Sequence, residues 1–221
     1  DDFKPFDSKS RTWTLKDGVV NSSPLSGDPR PGNAKFKKLT PVDENSANPY
    51  TLTDDDRTVI GNTTPKFSGG FGLNATFKGF DVSAFFNFMY DFDVFNANKV
   101  MMTTWASNNY NNFSMDISAA KRWRNFDDMG NEIRYSPEIL AEFNKNATMW
   151  NPTSIGRPIA MSYAVEDGSF LRLNTATIGY TLPRAWTNKV GLSRVRFYAS
   201  GYNLFTITGY SGYDPEVDIA T

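Results

Sequence analysis

The segment that decides the fold is FSGGFGLNATFKGFDVSAFFNFMY, residues 67–90. Apolar residues alternate with small or polar residues along both halves of it, which is the period-two pattern of a β-strand with one apolar face. Lys78 and Gly79 separate the halves and fit the two-residue loop of a tight hairpin. In that register Phe77 lies opposite Phe80, and both apolar sets fall on the same side. We therefore predict a β-hairpin over residues 67–90.

The two faces of this hairpin differ in chemistry. The apolar face is predicted to contact lipid through Phe71, Leu73, Phe77, Phe80, Val82 and Phe86. The other face carries Asn74, Thr76, Ser83 and Asn87, which suit a wet or plugged interior.

Further strands are predicted toward the C-terminal end. Residues 169–182 read as one strand, and residues 194–203 alternate again, with Val195 and Phe197 on a side that is also predicted to face lipid. Residues 183–193 form a short connection. The connection between residues 91 and 169 is too long for an ordinary loop and suggests a functional one.

Two short helices are predicted inside the long connection. Residues 114–125 begin with Ser114 as a cap, have an acidic residue in the first turn and end with basic residues. Residues 136–144 begin with Ser136 as a cap and Pro137 at the first helical position.

The lengths of the connections favour a membrane β-barrel over a soluble sandwich. A barrel has short turns at one end, long loops at the other, and lipid-facing alternation over strands of about 9 to 11 residues. A sandwich would have connections of similar length at both ends. It remains the alternative, as a soluble secreted β-sandwich that binds carbohydrate through its aromatic residues.

The composition excludes several classes of function. Lys plus Arg number 23 and Asp plus Glu 24, so the formal net charge is −1 and no basic face for nucleic acid is expected. The absence of Cys excludes disulfides and thiolate metal sites, and the absence of His excludes Ser-His-Asp triads and imidazole ligands. Aromatic residues make up 15% of a chain whose mean hydropathy is −0.47. That combination favours alternating strands or an aromatic binding surface.

Carboxylate pairs are the remaining catalytic possibility. Asp214 and Glu216 could act as acid and base in a glycoside hydrolase, although a turn with exposed carboxylates fits the sequence better. The acidic run at residues 54–56 could hold a cation, but it fits an ordinary solvated turn. We therefore expect no enzyme, no metal and no cofactor.

Aromatic residues in the long connection are the candidates for ligand contact. Exposed rings stack well on sugar rings or peptide side chains, but they can equally form the core of the loop itself. The candidates are Trp105, Tyr110, Phe113 and Trp150.

A series of short motifs is more specific than these patterns. The first motifs are DRTVIGN at residues 56–62, PKF at 65–67 and GF at 70–71. Further along the chain come DGSFLRL at 167–173, GYTLP at 179–183, NLFT at 203–206 and GYDPE at 212–216. In order and spacing the series resembles SusC/RagA-like TonB-linked outer-membrane transporters. The matched residues are Asp56, Arg57, Gly61, Asn62, Gly168, Ser169, Phe170, Arg172, Gly179, Tyr180, Pro183, Asn203, Asp214, Pro215 and Glu216. Of these, Gly168 is expected to serve a loop-to-strand turn and Gly179 barrel curvature or close packing.

The resemblance implies a function without catalysis. Such proteins import oligosaccharides or oligopeptides through the outer membrane of Bacteroidota, together with a SusD-like lipoprotein lid, and the TonB complex acts on parts outside this chain. Lipid or lipopolysaccharide would surround the barrel wall. Family members often carry a calcium-loop-like D-x-N-x-D-G sequence before the DRT motif. Residues 39–45 lack its ligand spacing and glycine, so no metal is expected there.

The resemblance also implies an all-β fold that is part of a larger antiparallel barrel. Plugged transporters of this kind have about 22 strands, so the chain is expected to be a C-terminal fragment of one barrel domain that lacks the final strand. The predicted organisation is an extracellular loop region with short extended pieces at 1–66, a transmembrane hairpin at 67–90, a long extracellular loop at 91–168, transmembrane strands at 169–205 joined by the periplasmic turn 183–193, and the start of an extracellular loop at 206–221.

Overall fold

The computed structural model describes residues 2–105, 113–155 and 159–216. The chain divides into two compact units. The loop unit comprises residues 1–59 and 97–164, and the sheet unit comprises residues 60–96 and 165–221. The assignment of the chain to one barrel domain stays a prediction. Within the loop unit the long connection packs with the N-terminal region, and neither segment has a periodic apolar pattern that reveals a partner.

The sheet unit contains the strands and one helix. They are β1 Phe67–Phe77, β2 Phe80–Tyr90, β3 Asp93–Phe95, β4 Val165–Asp167, β5 Phe170–Thr181 and β6 Arg196–Thr208, with helix Arg184–Thr187 between β5 and β6. The longer strands form an antiparallel 4-stranded sheet in the order β1-β2-β5-β6. The regular secondary structure is therefore mostly antiparallel sheet with few helices, as the predicted all-β class requires.

The predicted hairpin register is confirmed. Phe77 lies opposite Phe80 and Leu73 opposite Ala84. Lys78 has φ 46° and Gly79 φ 90°, so both turn residues are left-handed. A two-residue turn of this hand matches the twist of the flanking strands.

The last strand is longer than predicted and starts later. It runs to Thr208, whereas the sequence pattern ends at residue 203, and Val195 precedes the strand instead of lying in it. The cause is a β-bulge. Thr175 pairs with Tyr202 but Leu173 pairs with Phe205, and Asn203 has a left-handed φ of 48°. The extra residue breaks the alternation on which the prediction relies.

A second, 2-stranded sheet joins the two ends of the long connection. β3 and β4 pair antiparallel, with Val94 opposite Glu166. Neither strand is predicted from the sequence, because three residues are too few to show a period of two.

The loop unit contains short helices around a small core. The helices are α1 Ser23–Ser26, α2 Ala97–Met101 and α3 Pro137–Asn144. The core is formed by Ala34, Val100, Ile155, Met161 and Ala164. Ala34 comes from the N-terminal region and the others from the long connection, so this apolar cluster links the two segments of the unit.

The helix predicted near residues 114–125 is wrong. Ser114 does cap, since its side chain accepts from the Asp116 amide at 3.2 Å, but only a 3-10 turn follows, at Met115–Ile117. The backbone then pairs elsewhere, because the Lys121 carbonyl accepts from the Met149 amide at 3.0 Å. These hydrogen bonds replace the ones that a continuing helix would make.

The helix predicted at residues 136–144 is present as α3. Pro137 occupies the first helical turn as expected, but the Ser136 side chain makes no capping hydrogen bond. The fixed φ of the proline therefore accounts for this helix start better than a side-chain cap does.

The exposure of the sheet argues against a soluble sandwich. Every residue of β1 is exposed, so no second sheet is packed on either of its faces in the part of the chain that the structure describes. None of the described helices has the length and hydropathy needed to cross a bilayer.

Candidate functional site

The register places large apolar side chains on one face of the sheet, which we call the apolar face. Phe71 lies opposite Phe86 with ring centroids 4.9 Å apart, and Phe80 lies against Tyr180 at 4.4 Å. Phe197 lies opposite Tyr180 on the next strand. Many side chains of this face are exposed, including Leu73, Phe77, Phe80, Val82, Ile178, Phe197 and Ile207. A contiguous exposed apolar surface of this kind marks contact with lipid or with another protein.

The opposite face of the sheet, which we call the polar face, carries an ion pair that crosses a strand. Arg196 Nε on β6 donates to Asp81 Oδ1 on β2 at 3.0 Å, and the pair lies over Gly179 of β5. A Cβ atom at Gly179 would lie 2.5 Å from Arg196 Nη2. Gly179 therefore has a close-packing role, one of the two backbone roles expected for it.

One aromatic residue lies on the polar face beside two glycines. The ring of Phe85 covers Gly70, where an added Cβ would lie 2.8 Å from its Cζ atom. Gly72 is less crowded, because its Cβ would lie 3.8 Å from the same ring. The glycines of β1 thus leave the space that this large ring needs on the polar face.

The DGSF motif connects the end of β2 to the start of β5. The Ser169 hydroxyl donates to Asp167 Oδ1 at 2.5 Å and accepts from the Asp91 amide at 2.9 Å. The Gly168 amide donates to the Phe92 carbonyl at 2.8 Å. The hydrogen bonds from Ser169 hold the pKa of Asp167 below its ordinary value, so this carboxylate stays ionised and keeps accepting. The loop-to-strand role expected for Gly168 agrees with this geometry.

Arg172, in the same motif, binds the two acids of the later DPE motif. Its Nη2 lies 2.5 Å from Asp214 Oδ1, its Nη1 lies 2.7 Å from Glu216 Oε2, and its Nε donates to Thr206 Oγ1 at 3.0 Å. Only 11% of the Arg172 side chain is exposed. The expected turn is present at residues 215–216 and Glu216 is exposed, whereas Asp214 is half-buried. Both acids are ion-paired with one buried cation, which holds the segment after β6 against the sheet.

Asp56, the first residue of the DRT motif, organises a loop. Its carboxylate accepts from the amides of Thr40 at 2.8 Å, Leu39 at 2.9 Å and Thr53 at 2.9 Å, and it pairs with Lys38 Nζ at 3.3 Å. The amide donors, that of Thr40 foremost, hold the pKa of Asp56 far below its ordinary value.

The rest of the DRT motif divides between exposed and packed residues. Arg57 Nη2 forms an exposed ion pair with Asp54 at 2.8 Å. The Asn62 amide donates to Asp93 Oδ2 at 2.7 Å, and a Cβ at Gly61 would lie 3.1 Å from the Asp93 side chain. The structure therefore assigns Gly61 and Asn62 to anchoring the 2-stranded sheet. No group of three or more acidic side chains is placed to hold a metal within the described ranges.

The remaining motif residues shape turns and the bulge. The Pro183 carbonyl accepts from the Trp186 amide at 2.9 Å and begins the helix after β5. Asn203 takes the left-handed conformation that the bulge in β6 requires.

The candidate ligand aromatics have separate environments. Trp105 and Phe113 lie together with ring centroids 5.6 Å apart, and Trp105 is 41% exposed. Trp150 instead packs on the loop-unit core, and its Nε1 donates to the Thr103 carbonyl at 3.3 Å. Tyr110 lies outside the described residues. Only the first pair therefore combines contact between the rings with an open ring surface.

Trp105 and Phe113 border a cavity of about 600 Å³ in the loop unit, which we call the Trp105 cavity. Its wall also carries Arg30, Arg122, Arg124, Arg134, Asn125 and Asp127. Aromatic rings combined with a few polar groups in a concave surface are the usual make-up of a small-ligand site.

Comparison with known proteins gives consistent matches in sequence and structure. The chain is 34% identical over 194 residues to TonB-dependent receptor P3 of Formosa agariphila. The matched region covers 88% of this chain and 16% of that receptor. It is 31% identical over 135 residues to the TonB-dependent receptor SusC of Bacteroides thetaiotaomicron. That match covers 55% of this chain and 13% of SusC. No protein-family model matches the chain.

The structural matches agree in fold. The solved structure of the RagAB peptide transporter superposes with a TM-score of 0.58 at 24% identity and covers 75% of this chain and 16% of that one. The RagAB peptide importer in its closed-closed state superposes with a TM-score of 0.52 at 22% identity. This match covers 97% of this chain and 20% of the importer chain.

The sheet and these matches define the class of protein to which the chain is similar: TonB-dependent receptors. Within that class the similarity is to the SusC/RagA-like type, which confirms the resemblance seen in the sequence motifs. The chain spans between 13% and 18% of the length of the curated receptors that it matches.

Sequence reasoning missed both ion-pair clusters of the polar face. Asp81 and Arg196 could have been paired, because they occupy the same end and the same face of their strands. No local signal predicts the cluster of Arg172, Asp214 and Glu216, since it depends on how the chain folds back after β6. The wall of the Trp105 cavity has no sequence signal either, because its residues come from distant parts of the chain.

Proposed function

We propose that the chain is a membrane-spanning part of a TonB-dependent outer-membrane importer. The observation that carries the proposal is a 4-stranded antiparallel sheet with an exposed apolar face and an opposite face that carries polar and charged side chains. The strands are 11 to 13 residues long, which suits tilted strands that cross a bilayer. Similarity to TonB-dependent receptors over most of the chain supports the same assignment.

In this proposal the two faces of the sheet have different neighbours. The apolar face contacts lipid through Phe71, Leu73, Phe77, Phe80, Val82, Phe86 and Phe197. The polar face lines the interior of a closed barrel, of about 22 strands in transporters of this kind. The short links at Lys78–Gly79 and residues 183–193 then lie on the periplasmic side, and the long connection lies on the extracellular side.

The loop unit is proposed to take part in ligand capture. Trp105 and Phe113 are the described candidates for contact with an oligosaccharide or oligopeptide, and the Trp105 cavity is their setting. A SusD-like lipoprotein is the proposed lid over these loops, and energy is supplied by the TonB complex acting outside this chain. The RagAB match, a peptide transporter, and the SusC match support this partnership by analogy.

An uptake assay tests the proposed function. The full-length protein is expressed in a Bacteroidota strain that lacks the gene, and uptake of fluorescent oligosaccharide and oligopeptide mixtures is measured with and without a protonophore. Uptake of at least one mixture should require both the gene and the proton gradient. The variant Trp105→Ala should reduce it several-fold, whereas Phe143→Ala, an exposed ring outside the cavity wall, should not. Uptake that is independent of the gene would contradict the proposal.

A further inference from the structure

The charges in the wall of the Trp105 cavity do not balance evenly. Most of its arginines have a carboxylate partner: Arg30 with Asp28, Arg124 with Asp128 and Arg134 with Glu132. Arg122 has none among the residues that the structure describes. Its Nη1 donates to the Ile117 carbonyl at 3.3 Å, which leaves most of the five N–H donors of the guanidinium available.

The wall holds two acids, and neither compensates Arg122, because Asp28 pairs with Arg30 and Asp127 is held within its own turn. Asp127 Oδ1 accepts from the amides of Met129 at 2.9 Å and Asn131 at 2.8 Å, and its Oδ2 accepts from the Asn131 side chain at 2.9 Å. Both oxygens are therefore used within one turn. These hydrogen bonds, that from the Asn131 side chain foremost, lower the pKa of Asp127 and keep it ionised where it is.

Arg122 is therefore a cation without a carboxylate partner among the described residues, at a half-buried position in the wall of the cavity that Trp105 and Phe113 border. A guanidinium fork matches two coplanar oxygens of a carboxylate or a sulfate, and the match is stronger away from bulk water. Asn125, also in the wall, has no side-chain hydrogen bond within the described ranges, and an amide can bind neighbouring hydroxyl groups.

We propose that the Trp105 cavity binds an acidic oligosaccharide, with Arg122 as the residue that selects for charge. The carboxylate or sulfate of one sugar unit binds Arg122, the C–H face of a sugar ring packs on Trp105 or Phe113, and Asn125 binds hydroxyl groups. This inference rests on the proposed function and names the substrate class of the same site. A sugar fits these groups better than a peptide, because flat rings and a free amide suit hydroxylated ring faces.

Calorimetric titration of the full-length protein in detergent tests the inference. The probes are hexagalacturonate, a sulfated galactan hexasaccharide, neutral maltohexaose and hexaglutamate. The variants are Arg122→Gln, Arg122→Lys and the matched control Lys121→Gln. The control removes one positive charge from a neighbouring side chain that pairs with Asp116 and lies outside the cavity wall.

At least one acidic sugar should bind about tenfold or more tightly than maltohexaose, as a charge-assisted bidentate contact implies. Arg122→Gln should remove that difference, Arg122→Lys should keep part of it, and Lys121→Gln should keep it all. The affinity for the acidic sugar should fall with added salt. Comparing hexagalacturonate with the sulfated probe shows which anionic group is preferred.

Four results would each overturn the inference. They are equal binding of neutral and acidic sugars, equal effects of Arg122→Gln and Lys121→Gln, preferential binding of hexaglutamate, and absence of binding by every sugar. Uptake and membrane location are measured separately, so a transporter that imports a ligand without charge preference refutes this inference alone.

Discussion

At the scale of single residues, the polar face shows how one missing side chain positions two charges. Asp81 and Arg196 lie on strands that are separated by β5, and they meet because Gly179 lies between them without a side chain. The atoms that a Cβ would meet are the ends of flexible side chains, so a larger residue should displace the ion pair before it distorts the strand.

Gly179→Ala should therefore lower stability by about as much as the loss of the Asp81–Arg196 ion pair does, which is a small effect for a solvent-accessible pair. In the Gly179→Ala background, Asp81→Asn should then cause almost no further loss of stability. The measurement is a double-mutant cycle on heat-induced unfolding of the full-length protein. Gly72→Ala is the control, since its nearest neighbours are 3.8 Å away. Additive losses from Gly179→Ala and Asp81→Asn would show that the glycine does not act through the pair.

Arg172 binds the segment after β6 through its ion pairs with Asp214 and Glu216. Arg172→Gln should leave two carboxylates without their cation, at a cost of about 1–3 kcal/mol. It should also raise amide exchange and protease cleavage over residues 209–216. The control is Arg57→Gln, which breaks an ion pair whose side chains are 74% and 89% exposed and should change little. Unchanged exchange in Arg172→Gln would mean that the segment is held by other contacts.

At the scale of elements, the two faces of β1 should tolerate charge very differently. Leu73→Lys places a charge on the apolar face and should cost about 2–4 kcal/mol if the residue lies near the middle of the bilayer. Asn74→Lys, one residue along on the polar face, should cost little. Folding yield in the outer membrane and heat resistance of the folded form measure the difference. Equal tolerance of the two substitutions would contradict a lipid-facing apolar surface.

The loop that Asp56 organises should depend on pH. Its folded-state pKa lies far below the unfolded value of about 3.9. The stabilisation of the loop by the Asp56 carboxylate is therefore fully present above the unfolded pKa. It is lost as the pH falls from the unfolded pKa toward the folded pKa. Asp56→Asn should increase amide exchange over residues 38–57 at pH 7, after correction for intrinsic rates.

The difference between wild type and Asp56→Asn should shrink below about pH 4, where the wild-type carboxylate starts to protonate. The exchange of β2 serves as an internal control. A difference that is the same at pH 7 and pH 3 would show that the ionised carboxylate is not the source of the order.

The elements also show what the sequence could and could not predict. The hairpin of β1 and β2 was predictable in register, because unbroken alternation and a two-residue turn define it locally. The end of β6 was not, since the bulge at Asn203 interrupts the alternation. The segment at residues 114–125 has good capping residues but pairs with residues 148–149 instead, so tertiary contacts override its helix propensity.

The same limit applies to the candidate site. Aromatic content suggested Trp105, Phe113 and Trp150 alike, but it could not show that Trp105 is exposed, Phe113 half-buried and Trp150 packed on the core. The unpaired charge of Arg122 becomes visible only when the partners of its neighbours are known. A binding wall assembled from distant segments has no local sequence pattern.

At the scale of the whole molecule, the central claim is that this sheet is one part of a much larger membrane protein. The sheet order leaves β1 and β6 at its two edges, with no strand beyond them in the described part of the chain. Open edges and an exposed apolar face would make such a sheet aggregate in water. Both would be covered if further strands and lipid completed a barrel.

The most direct test is to extract the native polypeptide that carries this sequence from outer membranes in mild detergent and to measure its intact mass. We predict a chain several times heavier than 24.8 kDa that is found in the outer-membrane fraction and co-purifies with a lipoprotein. A water-soluble species of 24.8 kDa that folds without detergent would contradict it.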